Sequence, residues 1–318
     1  MISRENPIRN TPFFELLMLL CALFITMMFS GAAMQSLAPA IGIADVQDTI
    51  NNFNENTPQE TITAIKILHI VGQLFLFVLT PLLFLAIIKY PKPFHYLFLD
   101  RIPKLKHIFM GMAIILLSFP VALLIYWINK QLPLPESLLE MEESTTQMIK
   151  HFIRADNMGM LALNLFAIAF LPALGEELLF RGTVQRIFGR RFKSAHFAIL
   201  GTAFLFSAFH MQFAGFLPRL LLGALLGYLM YWSASLWIPI IAHFVYNGFQ
   251  VAGAYYSQQR GVALDPDNLN YLPSGSSIVA LVLLAGLCYY MYKSTREEQI
   301  IYENRIVSDE GIHINPQV

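Results

Sequence analysis

Glu176, Glu177 and Arg181 sit in an apolar run, LPALGEELLFRG over 171–182. Two more polar groups lie in equally apolar surroundings downstream: His210, at the end of FSAFH, and the pair His243 and Asn247 in HFVYN. A carboxylate beside an imidazole can hold and deprotonate a water molecule. A second imidazole and an amide can donate hydrogen bonds to a developing oxyanion. Together they suffice for attack of water on a peptide carbonyl, with no serine or cysteine nucleophile. Two histidines and a glutamate are also three of the four ligands of a catalytic zinc site, so Glu176, His210 and His243 are candidate metal ligands. The HExxH helix is absent. The residues alone leave a bare carboxylate–imidazole site and a metal site both open.

Helical spacing divides the work further. Residues four apart share a helix face, so Glu177 should pair with Arg181 and His243 should lie beside Asn247. Glu176 is rotated about 100° from Glu177, which leaves it free for something other than Arg181. Glu176 and His210 lie equal numbers of residues either side of Lys193. In an antiparallel helical hairpin that means equal depth. Counted from a boundary near Gln185, Glu176 is ~13 Å deep at the helical rise, and His243 is ~11 Å beyond the SAS turn. The groups are expected in one layer, open toward the cytoplasmic side.

The elements that must hold this layer are membrane helices. The chain has 318 residues, 56% hydrophobic and 13% charged, with 26 phenylalanines. Soluble proteins carry about twice that share of charge. Eight apolar segments are long enough to span: 13–35, 62–88, 107–129, 158–186, 197–213, 216–233, 237–256 and 276–293. The expected fold is therefore an all-α polytopic bundle, with a tail over 1–12, a membrane domain over 13–293 whose motif core is 158–256, and a tail over 294–318. The N-terminus has the look of a secretory signal, with Arg4 and Arg9 before an apolar run, but that run is long enough to be a retained first helix. Cys21 and Cys288 both fall in apolar segments and read as small apolar residues. The net charge is zero, which suggests no nucleic-acid partner.

Connections alternate in sign. Lys89, Lys92, Arg101, Lys104 and Lys106 mark one basic connection, and Arg186, Arg190, Arg191 and Lys193 another. Asp45, Asp48, Glu55 and Glu60 mark one acidic connection, and Glu136, Glu140, Glu142 and Glu143 the next. Basic connections face the cytoplasm, which puts both termini inside; the short first cytoplasmic segment and the basic hairpin are consistent with a bacterial protein, and so with its inner membrane. The stretch 136–153 reads as an amphipathic surface helix. His69 and Asn164 read as structural hydrogen-bonding residues, and Lys66 and Arg219 as side chains that snorkel to the surface.

The motifs EExxxR (Glu176, Glu177, Arg181), FxxxH (Phe206, His210) and HxxxN (His243, Asn247), in this order on membrane helices, resemble the CPBP family: CAAX prenyl protease type II and Abi-type, bacteriocin-processing intramembrane proteases. The resemblance implies that Glu176 and His210 activate water, that His243 and Asn247 stabilise the oxyanion or help complete a metal site, and that Glu177 and Arg181 support them. Family members are often labelled metalloproteases, and a metal-independent glutamate mechanism is also proposed for some. Asn247 tips the balance toward no required cofactor, because an amide is a poor zinc ligand and a good oxyanion donor; Zn²⁺ is the alternative. The implied substrate is a membrane-embedded or lipidated peptide, prenylated CAAX-type or bacteriocin-like. The rival readings are a non-catalytic scaffold or bacteriocin-immunity protein of the same fold, and a transporter. Intramembrane charges also mark transport paths, but here the ionisable residues stop at one layer.

Overall fold

The computed structural model describes residues 11–133, 135–261 and 275–308, and these form an all-α bundle. Eight helices occupy the eight apolar segments: α1 (Pro12–Ile41), α2 (Gln59–Ile87), α3 (Leu105–Asn129), α5 (Met158–Phe192), α6 (Ala195–Phe209), α7 (Phe216–Ser233), α8 (Trp237–Gln259) and α9 (Gly275–Ser294). The amphipathic stretch forms α4 (Glu136–Phe152), and a last helix, α10, covers Arg296–Ser308. Among the described residues, six of the eight are long and apolar enough to cross a membrane. The exceptions are α6, with only 15 residues, and α8, which carries His243, Asn247, Gln250, Gln258 and Gln259. Arg4 and Arg9 lie outside the described residues.

Local signals set the ends of the motif helices. The Asn157 side chain accepts from the Met160 amide at the start of α5, as an N-cap should. Lys193 ends α5 in the left-handed region at φ 51°, and Ser194 caps α6 by accepting from the Phe197 amide. Ala234, at φ 47°, ends α7 in the same way. The tight α5–α6 and α7–α8 turns make these four helices antiparallel neighbours.

Three π-helical stretches interrupt the spans: Leu74–Leu79 in α2, and Leu165–Phe170 and Phe180–Val184 in α5. A π turn takes an extra residue per turn and re-aims the side chains that follow. Two of them bracket the Glu176–Glu177 pair. At Gly175 a Cβ would meet Phe77 Cβ at 2.7 Å, so glycine is what lets α5 close onto the π turn of α2 immediately before Glu176.

The structure corrects several sequence expectations. Arg186 and Arg190 are not solvated turn residues, because α5 continues past them and both are buried. Arg186 donates to the Tyr96 carbonyl at 2.9 Å and stacks over the Tyr96 ring at 4.2 Å, while Arg190 pairs with Glu15 of α1. Gln185, the residue from which depth was counted, points into the protein. That side chain is buried and donates to the Gly227 carbonyl and Tyr302 hydroxyl. The segment expected to be a tail from 294 is, up to Ser308, a helix docked on the bundle. Arg305 binds Asp100 through two hydrogen bonds of 2.9 and 3.0 Å, Tyr302 stacks on Phe98, and Lys104 pairs with Glu298. Residues 309–318 lie outside the described residues.

Lys66 does not snorkel. It is buried and donates to the Arg154 carbonyl at 3.0 Å. Asn164 donates to the Ile153 carbonyl at 2.6 Å and His69 packs edge-on against Phe152, as structural residues would. All three thus hold the C-terminal end of α4, where carbonyls lack helical partners. Arg219 lies in the first turn of α7, near a helix end as expected, but its two terminal nitrogens are spent on Gln212, at 2.6 and 2.7 Å.

Candidate active site

The site is assembled from the middle of α5, the end of α6 and the first half of α8. Glu177 and Arg181 pair at 2.5 Å, both fully buried, as their spacing predicted. Arg181 is held from two further sides: it donates to the Gly223 carbonyl of α7 at 3.0 Å, and its guanidinium lies 4.6 Å from the Phe206 ring centroid. The backbone approach is tight at Gly223, where a Cβ would lie 3.1 Å from Ala203. Phe206 contacts both imidazoles edge-on, with centroid distances of 5.0 Å to His210 and 5.9 Å to His243. It acts as the apolar spacer between them.

Glu177 does more than neutralise Arg181. The Oε1 atom that accepts from Arg181 also accepts from Nδ1 of His243 at 2.8 Å. A carboxylate oxygen only accepts, so Nδ1 carries the proton. The other ring nitrogen, Nε2, then faces Oε2 of Glu176 at 3.9 Å. The two adjacent glutamates, expected to serve different partners, flank the two nitrogens of one imidazole. The helical rotation between them stands, and the ring is long enough to meet both.

His210 follows the last turn of α6 and its Nδ1 lies 2.8 Å from the Phe206 carbonyl. That carbonyl can only accept, so Nδ1 is again the donor and Nε2 keeps its lone pair. Asn247 sits one turn beyond His243, half-buried, and its side chain makes no hydrogen bond to a described residue. The structure therefore joins Glu176, Glu177, Arg181 and His243 directly. It ties His210 to them through Phe206, and leaves the Asn247 amide uncommitted.

The three candidate metal ligands, Glu176, His210 and His243, are not grouped as a set of three among the described residues. Glu176 and His243 come together, but among the described residues no three histidine, cysteine, aspartate or glutamate side chains are grouped to hold an ion. His210 is linked to the others only across the Phe206 ring, while the Nδ1–Glu177 bond of His243 leaves its Nε2 lone pair available, as in a ligating histidine.

The loop after His210 is anchored by residues whose part in the site had no signature in the sequence. Glu142 of α4 accepts from the backbone amides of Phe213 and Ala214 at 2.8 and 3.2 Å. Asn129, the last residue of α3, donates to the carbonyls of the same two residues at 2.7 and 2.9 Å. In the sequence Glu142 is one acid in an acidic run, and Asn129 is an unremarkable helix end. Only the packing of α3 and α4 onto the α6–α7 loop gives them a role.

Depth is also corrected. Glu176, His243 and Phe206 do share a layer, but the layer is closed toward the basic end of the bundle. There lie fully buried Arg181, Leu226 and Leu229, then Gln185 and Tyr302. In the opposite direction Glu176 is 7% exposed, His210 and Asn247 are half-buried and Met211 is 63% exposed. The depth count did not allow for the short α6, which ends at His210, or the long α5, which runs on to Phe192.

No curated protein and no solved structure matches the chain. Residues 158–249, from the first turn of α5 to just past Asn247 on α8, match the family model described as type II CAAX prenyl endopeptidase Rce1-like. The matched segment holds every one of the motif residues assembled above, so this part of the chain is similar to the CAAX-type intramembrane proteases.

Proposed function

We propose that the protein is an intramembrane endopeptidase that hydrolyses a membrane-associated peptide with a water molecule activated by Glu176. The hydrogen-bonded chain Arg181–Glu177–His243, which aims Nε2 of His243 at Glu176, carries this reading. Two carboxylates face one guanidinium in a buried site. Charge balance therefore calls for one further proton, shared between Glu176 and His243, since an uncompensated buried charge is strongly disfavoured.

In the reaction Glu176 takes a proton from water, and Nε2 of His210 accepts a hydrogen bond from the same water. The hydroxide oxygen forms a bond to the peptide carbonyl carbon, and the carbonyl π pair moves onto oxygen. Nε2–H of His243 and the Asn247 amide donate to that oxyanion. The oxyanion pair then re-forms the C=O bond as the C–N bond breaks, and the proton held by Glu176 passes to the leaving nitrogen, giving a carboxylic acid and an amine. Glu177 keeps the His243 ring oriented with Nδ1 as donor, and Arg181 holds Glu177 in place. No step needs a metal.

The test is cleavage of membrane-associated peptides by purified protein, wild type against Glu176→Gln. Glutamine keeps the shape and removes the base, so hydrolysis should be abolished while the folded protein and substrate binding persist. Undiminished cleavage by Glu176→Gln would exclude Glu176 as the base. Failure of the wild type to cleave any such peptide, with its fold intact, would favour a non-catalytic scaffold.

A further inference from the structure

The two ends of the bundle differ chemically. Helices α1, α3, α6 and α8 begin at one end, and α2, α5, α7 and α9 begin at the other. Contacts between connections hold each end together. At the first, Ser235 donates to the Arg101 carbonyl at 2.6 Å and Lys104 pairs with Glu298. At the second, Arg154 donates to the Glu55 carbonyl and the Ala155 amide to Gln258. The first end carries the basic α2–α3 connection and the Arg191–Lys193 turn. The second carries the acidic α1–α2 connection and the acidic face of α4. A membrane protein places its lysine- and arginine-rich connections in the cytoplasm.

The site is polarised along the same axis. From the layer of Glu177, Arg181, Phe206 and His243, the direction toward the basic end is closed by buried side chains. Glu176 precedes Glu177 on a helix that starts at the acidic end. His210 and Asn247 each lie one turn further toward that end than Phe206 and His243. Exposure rises the same way and is greatest at Met211, beside His210. Glu142 of α4, a helix with exposed Leu139, Met141, Met148 and Ile149, holds the loop at this mouth.

We infer that the catalytic groups open to the acidic, non-cytoplasmic face of the membrane. The substrate class is then a membrane-anchored peptide whose scissile bond emerges on that face, and not the cytoplasmic tail of a lipidated protein. The orientation stands on charge and exposure; the word substrate rests on the protease reading above.

Single-cysteine labelling in intact cells tests the orientation without requiring activity. In a background carrying Cys21→Ala and Cys288→Ala, three probes are placed: Glu140→Cys on α4, Met211→Cys at the mouth, and Lys92→Cys at the basic end. A membrane-impermeant maleimide should label Glu140→Cys and Met211→Cys in intact cells, and Lys92→Cys only after lysis. The reverse pattern overturns the orientation. A Met211→Cys that reacts only after lysis, or never, overturns the opening. Peptides released by cells with wild-type protein are then compared by mass spectrometry with those from Glu176→Gln cells. Release confined to the outer compartment and lost in the variant is expected, and a difference confined to the cytoplasm overturns the substrate class. Labelling as expected with no difference in either compartment would overturn the protease reading and leave the orientation standing.

Discussion

Arg181→Ala tests the electrostatic frame of the site most directly. The substitution removes the guanidinium that meets Glu177 at 2.5 Å, donates to the Gly223 carbonyl at 3.0 Å and lies over Phe206. Glu177 is then a fully buried carboxylate whose remaining bond is to His243, since its Oε2 already has no partner among the described residues. Breaking a buried ion pair by removing one partner typically costs about 3–5 kcal/mol. Total stabilities of about 5–15 kcal/mol make that a large fraction. The expected outcome is a strong fall in thermal unfolding temperature in detergent, followed by tryptophan fluorescence, and a lower yield of folded protein. The decisive comparison is the double variant Arg181→Ala with Glu177→Gln. A glutamine removes the stranded charge and still offers an oxygen to Nδ1 of His243, so it should recover most of the lost stability although it adds a second substitution. An Arg181→Ala protein as stable as wild type would refute the reasoning. So would a double variant less stable than Arg181→Ala, because the damage would then not be a buried, unpaired carboxylate.

Four further outcomes are expected. Asn247→Ala should lower turnover on the order of 10²–10³-fold, as loss of one oxyanion donor does, with little change in unfolding temperature because its amide makes no hydrogen bond to a described residue; steady-state kinetics beside a melting curve separates the two. Turnover should be insensitive to metal chelators, and stoichiometric zinc by elemental analysis, with activity lost on its removal and restored on its return, would refute this. Glu142→Ala strips the acceptor from two backbone amides of the His210 loop, a loss of about 1–3 kcal/mol per unsatisfied group where they stay dry; turnover should fall more than substrate affinity, and Glu142→Gln should rescue in part. Docking of α10 should be acid-sensitive: burial raises the Asp100 carboxyl, but hydrogen bonds from Arg305 and His95 outweigh it and hold the group below its ordinary value, and Lys104 does the same for Glu298. Groups depressed in the folded state contribute stability that is full above the ordinary carboxylate range, near about 4, and is lost as pH falls through the lowered folded values; limited proteolysis of 296–308 across that range should show the release, and Arg305→Ala should reduce the Asp100 share of it, leaving the part due to His95.

Local spacing by itself determined much of this protein. Long apolar runs must be helices in a bilayer, where every backbone group needs an internal partner, and each of the eight segments is a helix. The four-residue spacing put Glu177 on Arg181, because it follows from the pitch of one helix; equal offsets from Lys193 predicted one depth for Glu176 and His210, whereas Phe206 shares the layer and His210 lies one turn beyond it. Only the tertiary structure decided which charges are solvated. Arg186 and Arg190 look in sequence like any basic turn, and they are buried because Tyr96, Glu15 and α10, all distant in the chain, pack against them. Only packing brought His243 of α8 between the two glutamates of α5, which turned Glu177 from a bystander into the group that orients the ring. The direction in which the site opens was likewise illegible. It depends on α6 stopping short while α5 and α8 run on, and on α4 folding back to hold the loop with Glu142. A helix carries its own periodicity, whereas its neighbours, and the depth at which they end, are set by side-chain contacts between residues far apart in the chain.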